Sequence, residues 1–169
     1  MERTGTEYAF MGGLAVTVWG IPRATFDLDL AIGVDNQPAS TLLSALQVDD
    51  IESDEHFRKG FVDGRNGMAK VAARLLFDGN WFVLDLFLGS TPFLRTVLGR
   101  RVRVPYLDSH VYAVSAADLI LFKLMAGRRK DWVDIDNVVA VQGVPERPYL
   151  EQWAATLGVT DRLRRVLNP

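Results

Sequence analysis

Apolar and polar positions change their period several times along the chain, and each change marks an element. Residues 8–11 form a short apolar run that stops at Gly12-Gly13, a strand followed by a glycine turn. Residues 14–19 predict a short helix, ended by Gly20 and Pro22. Residues 26–32 alternate apolar and acidic side chains with period 2, as a strand does. Residues 39–46 carry Ala39, Leu42, Leu43 and Leu46 at helical spacing, and the acidic stretch 49–55 reads as a solvated loop. Residues 71–77 and 81–88 are two strands joined by Asp78-Gly79-Asn80, a hairpin signal. Residues 91–98 read as a short helix, and 102–104 and 111–114 as edge strands.

Beyond residue 114 the pattern turns helical. Ser115 followed by Asp118 is an N-cap pattern, and Leu119, Phe122 and Met125 then recur at helical spacing over 116–126. Further helices are expected over 130–141, 149–157 and 161–167. The expected fold is α/β (α+β): a small mixed sheet flanked by helices, with a helical C-terminal region. The expected organisation is a single domain over 1–169, with the sheet in 1–114 and the helical part in 115–169.

Composition narrows the chemistry. Of 169 residues, 49% are hydrophobic and 24% charged, as in a chain with a core. There is no cysteine, which excludes disulfides, a thiolate nucleophile and Cys-ligated metal sites. His56 and His110 are the only histidines, too few for a His-rich metal site. No apolar run reaches the ~18 residues of a membrane span, and the N-terminus lacks a signal-peptide core. The expected compartment is the cytoplasm, with no membrane partner.

The net charge of −2 conceals an asymmetry. Residues 1–85 hold 13 acids and 7 bases; residues 86–169 hold 8 acids and 12 bases. Carboxylate chemistry is expected in the first half, and phosphate-holding cations in the second.

Certain residues are costly for structure alone. Asp27 and Asp29 project to one face of a strand, roughly 7 Å apart, and repel each other unless a cation lies between them. The alternative is a strand with a wet polar face. Asp85 stands among seven apolar residues in 81–88, a strand expected to be buried on both faces. A carboxylate there needs a partner: either a salt bridge to an arginine such as Arg74, or a metal. Three carboxylates on adjacent strands make a hard-oxygen site suited to Mg²⁺ or Mn²⁺. Gly12 and Gly13 are either a plain turn or a turn whose N–H groups cradle an anion at a helix N-terminus.

Residues 12–30, Gly-Gly-Leu-Ala-Val, six further residues and Arg-Ala-Thr-Phe-Asp-Leu-Asp-Leu, resemble the signature of polymerase-β-type nucleotidyltransferases. In that family a glycine turn precedes an Asp-x-Asp strand, and a third Asp follows on a later strand. Arg23 and Thr25 before the acids resemble the minimal and AbiEii-like branch of toxin–antitoxin and abortive-infection systems. So does the pattern Lys-Leu-x-Ala-x-Arg-x-Lys-Asp-x-x-Asp over residues 123–134.

The resemblance implies a nucleotidyltransferase sheet and transfer of a nucleoside monophosphate from an NTP to an acceptor hydroxyl. Asp27, Asp29 and Asp85 would be the catalytic and metal-binding carboxylates, with Mg²⁺ or Mn²⁺ as cofactor: Asp27 and Asp29 would bind the metal that holds the β- and γ-phosphates, the three together would bind a second, and Asp85 would alternatively act as general base. Gly12, Gly13, Arg23, Thr25, Lys123, Lys130 and Asp131 would bind the nucleotide. Many relatives carry Ser where Gly13 stands, so a hydroxyl contact to phosphate is missing there. Each cation also has a structural reading: Arg23 as a surface arginine, Lys123 as an outward-facing lysine, Lys130 as an i, i+4 partner of Asp134. Trp132 reads as core before it reads as a base-stacking platform.

The toxin branch implies tRNA or another RNA as acceptor, and a cognate antitoxin as partner. Alternatives are an aminoglycoside or lincosamide acceptor, a partner protein, or a non-catalytic nucleotide-binding, antitoxin-like module. Three basic clusters bear on this choice: Arg100, Arg101 and Arg103; Arg128, Arg129 and Lys130; and Arg162, Arg164 and Arg165. Two of them converging beside the carboxylates would suit an RNA backbone; otherwise each is a solvated face.

Overall fold

The computed structural model describes residues 6–34, 51–52, 61–63, 68–106 and 108–168. The helix expected over 39–46 lies outside the described residues. In chain order the elements are β1 (Tyr8–Phe10), α1 (Gly12–Trp19), β2 (Asp27–Gly33), β3 (Ile51–Glu52), β4 (Phe61–Asp63), β5 (Met68–Phe77) and β6 (Asn80–Gly89). There follow α2 (Pro92–Gly99), β7 (Val102–Tyr106), β8 (Ser109–Ala113), α3 (Ala116–Ala126), α4 (Arg129–Gln142), α5 (Arg147–Thr156) and α6 (Thr160–Leu167).

Among the described residues the strands form one mixed sheet in the order β3-β5-β6-β2-β1-β8-β7, with β4 also pairing to β5. β2 and β6 run parallel, and their register sets Asp29 directly beside Asp85. β5 and β6 form the expected hairpin, its two-residue turn taking positive φ at Asp78 (49°) and Gly79 (73°). Part of the stretch expected as an acidic loop is strand instead: Ile51 and Glu52 pair with Leu75 and Arg74 of β5. The rest of that stretch lies outside the described residues.

Period 2 separates two apolar layers on β2. Leu30 and Ile32 join Val71, Leu84, Leu86 and Leu88 on one face. Ala31 faces the larger core built with α1 to α6, so Asp29, two residues earlier, points to the helical side. At the centre of that layer is α3, in which every residue from Ala117 to Leu124 is buried. A helix apolar nearly all round belongs inside a core. Ser115 caps it: the Ser115 Oγ accepts from the Asp118 N–H at 3.2 Å and donates to Asp118 Oδ2 at 2.6 Å. Asp118 also accepts from the Tyr149 hydroxyl and lies 3.5 Å from Arg100 Nε, which ties α2, α3 and α5 together. At the other end Arg162 of α6 donates to the Leu124 and Met125 carbonyls. Gly127 stands beside it at φ 63°, where a Cβ would meet that guanidinium at 2.5 Å.

Strand 81–88 departs from the expectation of burial on both faces. Trp81, Phe82 and Val83 are exposed, and burial begins at Leu84. The pairing of β2 with β6 starts at Asp27 and Val83, so the hairpin end runs past β2 and is paired by β5 alone.

Candidate active site

The site is assembled where β2, β6 and β5 meet the N-terminus of α1 and the α3–α4 junction. A cavity of about 480 Å³ opens there, within the size range of small-molecule pockets. Its lining contains every residue that the resemblance assigns to the site: Gly12, Gly13, Arg23, Thr25, Asp27, Asp29, Asp85, Lys123, Lys130 and Asp131. Lys70, Arg128 and Phe26 join them.

The two glycines are the first turn of α1, not a turn ahead of it. Gly12 has φ 59°, and a Cβ on it would lie 1.8 Å from Asp29 Oδ2. A Cβ on Gly13 would lie 2.6 Å from Thr25 Oγ1. The glycines are therefore where the helix end presses against the acidic strand and the segment before it, which leaves the amide edge of α1 next to Asp29. The Thr25 hydroxyl fills the space that a side chain at position 13 would take, so a hydroxyl is present at this turn although Gly13 carries none.

Asp29 is half-buried, and its desolvation pushes its carboxyl above the ordinary value of 3.8; the charges of Asp85 and Asp27 push the same way, against Lys123 and Lys70. Negative charge is thus concentrated on the helical face of β2 and β6 beyond what the nearby cations offset. Oxygen donors of this kind fit a hard divalent cation. Among the described residues no three acidic or histidine side chains are gathered closely enough to form a ready-made cage. One cause is visible: Asp85 Oδ2 is held 2.6 Å from Lys70 Nζ. The structural alternative for Asp85 named Arg74, but the partner is Lys70, which β5 carries to the cavity side of the sheet.

The second wall is an ion-pair network. Lys123 is buried, and its Nζ lies 2.6 Å from Asp134 Oδ2 and 3.2 Å from Asp131 Oδ1. Arg23 grips Asp134 with two bonds, Nε to Oδ1 at 2.8 Å and Nη2 to Oδ2 at 2.9 Å. Arg128 grips Asp131 likewise, Nε to Oδ2 at 2.8 Å and Nη2 to Oδ1 at 3.1 Å, and its own N–H donates to the same carboxylate. Burial pushes both carboxyls up, but these hydrogen bonds and the Lys123 charge outweigh it and hold both below the ordinary value of 3.8. Lys123 is therefore not an outward-facing lysine. Nor does Lys130 staple Asp134, which is buried and turned to Arg23 and Lys123. Arg128 and Asp134 were part of the motif over 123–134 without being assigned a site role. Lys70 had no sequence signal beyond its place in a strand next to an acidic one.

Only one of the three basic clusters contributes to this cavity, through Arg128 and Lys130. Arg100 pairs with Glu146, Arg101 with Glu7, and Arg103 with the His110 ring. Arg162 caps α3, Arg164 pairs with Asp161, and Arg165 covers the Trp132 ring at 4.8 Å. Trp132 packs against the main core. No helix among the described residues is long and apolar enough to cross a membrane.

No protein-family model matches the sequence, and no curated protein matches it. Solved structures do match in fold. An antigenic nucleotidyltransferase-like protein from Paracoccidioides brasiliensis aligns with a TM-score of 0.59 and 21% identity over 98% of this chain and 86% of its own. The lincosamide antibiotic adenylyltransferase LnuA, bound to lincomycin, aligns with a TM-score of 0.51 and 16% identity over 83% and 90%. A proposed nucleotidyltransferase from Thermotoga maritima aligns with a TM-score of 0.51 and 12% identity over 80% and 83%. At these identities the likeness is one of architecture, and the chain has the fold of nucleotidyltransferase-like proteins.

Proposed function

We propose that this cavity binds a nucleoside triphosphate and transfers its nucleoside monophosphate to an acceptor hydroxyl, an activity of the EC 2.7.7 class. The observation that carries the reading is the β2–β6 register: it sets Asp29 beside Asp85 on the face that meets the N-terminus of α1. Mg²⁺ or Mn²⁺ at the Asp27, Asp29 and Asp85 carboxylates would supply Lewis-acid stabilisation of the phosphates and lower the pKa of the attacking hydroxyl. Gly12 and Gly13 offer backbone donors to the phosphates, and the Thr25 hydroxyl stands beside them. Arg128 and Lys130 line the opposite wall and can neutralise the triphosphate. Asp85 would be the carboxylate that accepts the acceptor's proton. Phe26, 86% exposed at the cavity mouth, offers a face to a planar group.

The toxin-type reading, with tRNA as acceptor, is supported by Arg128 and Lys130 at the mouth and by the motif that carries them. A small hydroxylated acceptor such as an antibiotic is supported by a different observation: Arg100, Arg101, Arg103, Arg162 and Arg164 pair with groups elsewhere and none of them lines the cavity, so two basic clusters do not converge beside the carboxylates. Incubation with each labelled NTP, Mg²⁺ and, separately, total tRNA, an antibiotic panel or a protein extract tests the reading. Label on one acceptor class identifies the substrate. No labelled product and no nucleotide-dependent rise in Tm would return the chain to a non-catalytic module.

A further inference from the structure

We propose that Lys70 is a built-in counter-ion for Asp85 and limits the site to one divalent cation, held by Asp27 and Asp29. The inference rests on the metal-dependent reading above and narrows it. The Lys70 Nζ lies 2.6 Å from Asp85 Oδ2, at the short end of charge-assisted bonds. The β5–β6 register sets Lys70 opposite Phe87, one same-face position along the strand from Asp85. The ammonium also stands 5.7 Å over the Phe87 ring. Two contacts thus draw it to the cavity side of the sheet while 44% of its side chain stays exposed.

A cation that took Asp85 Oδ2 as a ligand would compete with this ammonium and meet its positive charge. Ala72, directly opposite Asp85, offers nothing that could take the ammonium's place. Asp27 and Asp29 are different. Neither forms an ion pair among the described residues, both line the cavity, and Asp29 packs directly against Gly12 at the N-terminus of α1. The donor set therefore divides into two carboxylates open to metal and one already neutralised by the chain.

The test is Mn²⁺ alone, added without nucleotide to the full chain, with bound ions counted by electron paramagnetic resonance and affinities taken from calorimetry. The wild type is expected to bind one ion. Lys70→Met is expected to gain a second, its binding step tightened about tenfold or more, as removal of a like charge at this range implies. Lys70→Arg keeps the charge and is expected to bind one. Circular dichroism checks that each variant folds, which a half-exposed side chain favours. Two ions in the wild type, or one in both wild type and Lys70→Met, overturns the proposal. Binding of no ion by either protein overturns the metal-dependent reading itself, a distinguishable result.

Discussion

Gly12 and Asp29 occupy space that only one side chain can fill: a Cβ on residue 12 would lie 1.8 Å from Asp29 Oδ2. The φ of 59° at Gly12 adds a backbone reason, since a left-handed conformation costs an L-residue about 1–2 kcal/mol. Gly12→Ala is therefore expected to destabilise the protein by about 2 kcal/mol or more and to displace the carboxylate at the centre of the site. Thermal melts measure the first effect, and Mn²⁺ affinity measures the second. An unchanged affinity would mean that Asp29 has room to move without losing its role.

Gly13 and Thr25 form a similar pair at the next position. Gly13→Ser would drive its Cβ to 2.6 Å from Thr25 Oγ1, a contact that must be relieved at a cost of about 1–3 kcal/mol. Thr25→Gly removes the obstacle. The double substitution is expected to be more stable than the two single effects predict, by about 1 kcal/mol or more. Strict additivity in urea titrations would show that the hydroxyl of Thr25 does not fill the place of a side chain at 13.

Asp29→Asn separates stability from chemistry. Burial and the neighbouring carboxylates penalise the charged form of Asp29, so a neutral side chain of the same shape is expected to raise the Tm of the metal-free protein. The same change is expected to lower nucleotidyl transfer at least ~100-fold and to abolish stabilisation by Mn²⁺. A variant with full turnover would remove Asp29 from the site.

The contrast between these residues and the opposite wall shows what local pattern can encode. Alternation in 26–32 places Asp27 and Asp29 on one face by geometry alone, and the helix at 116–126 follows from its cap and spacing. Lys70 is different. Nothing in its neighbours distinguishes it from any strand lysine, because its partner is fixed by the β5–β6 register, a hairpin property set by the turn at Asp78-Gly79. Arg23 and Asp134, 111 residues apart, meet only because α1 and α4 pack against each other. Burial of 81–83 failed as an expectation for a related reason. An apolar run shows that a strand is strong, but where its neighbours end is set by β2, elsewhere in the chain.

Lys123→Met tests what the buried ammonium is for. Its removal leaves Asp131 with Arg128 and Asp134 with Arg23, so each carboxylate keeps a bidentate partner. Two anions would remain close together without the cation between them. The expected loss is about 1–3 kcal/mol, below the ~3–5 kcal/mol of an ion pair broken with no second partner. A rise in the nucleotide KM alongside that loss would assign Lys123 to the triphosphate as well. A drop in Tm with KM unchanged would make it a positioning residue that anchors Asp131 and, through it, Arg128.

Asp134 carries the clearest pH dependence. Its carboxyl is held below the ordinary value of 3.8 because Arg23 and Lys123 together outweigh the cost of burying it. The unfolded chain then takes up a proton at a higher pH than the folded one, so stability rises with pH across that interval. The contribution is present in full above the unfolded value of 3.8 and is lost as pH falls through the lower, folded value. Asp131 adds in the same direction. Asp134→Asn is expected to cost about 3 kcal/mol at neutral pH, where it strands Arg23 and deprives Lys123 of its shorter contact. Its unfolding free energy should also fall less steeply than that of the wild type as pH drops below about 4. Urea titrations at several pH values give both slopes; parallel slopes would show that the pairing of Asp134 with Arg23 and Lys123 contributes nothing to acid unfolding.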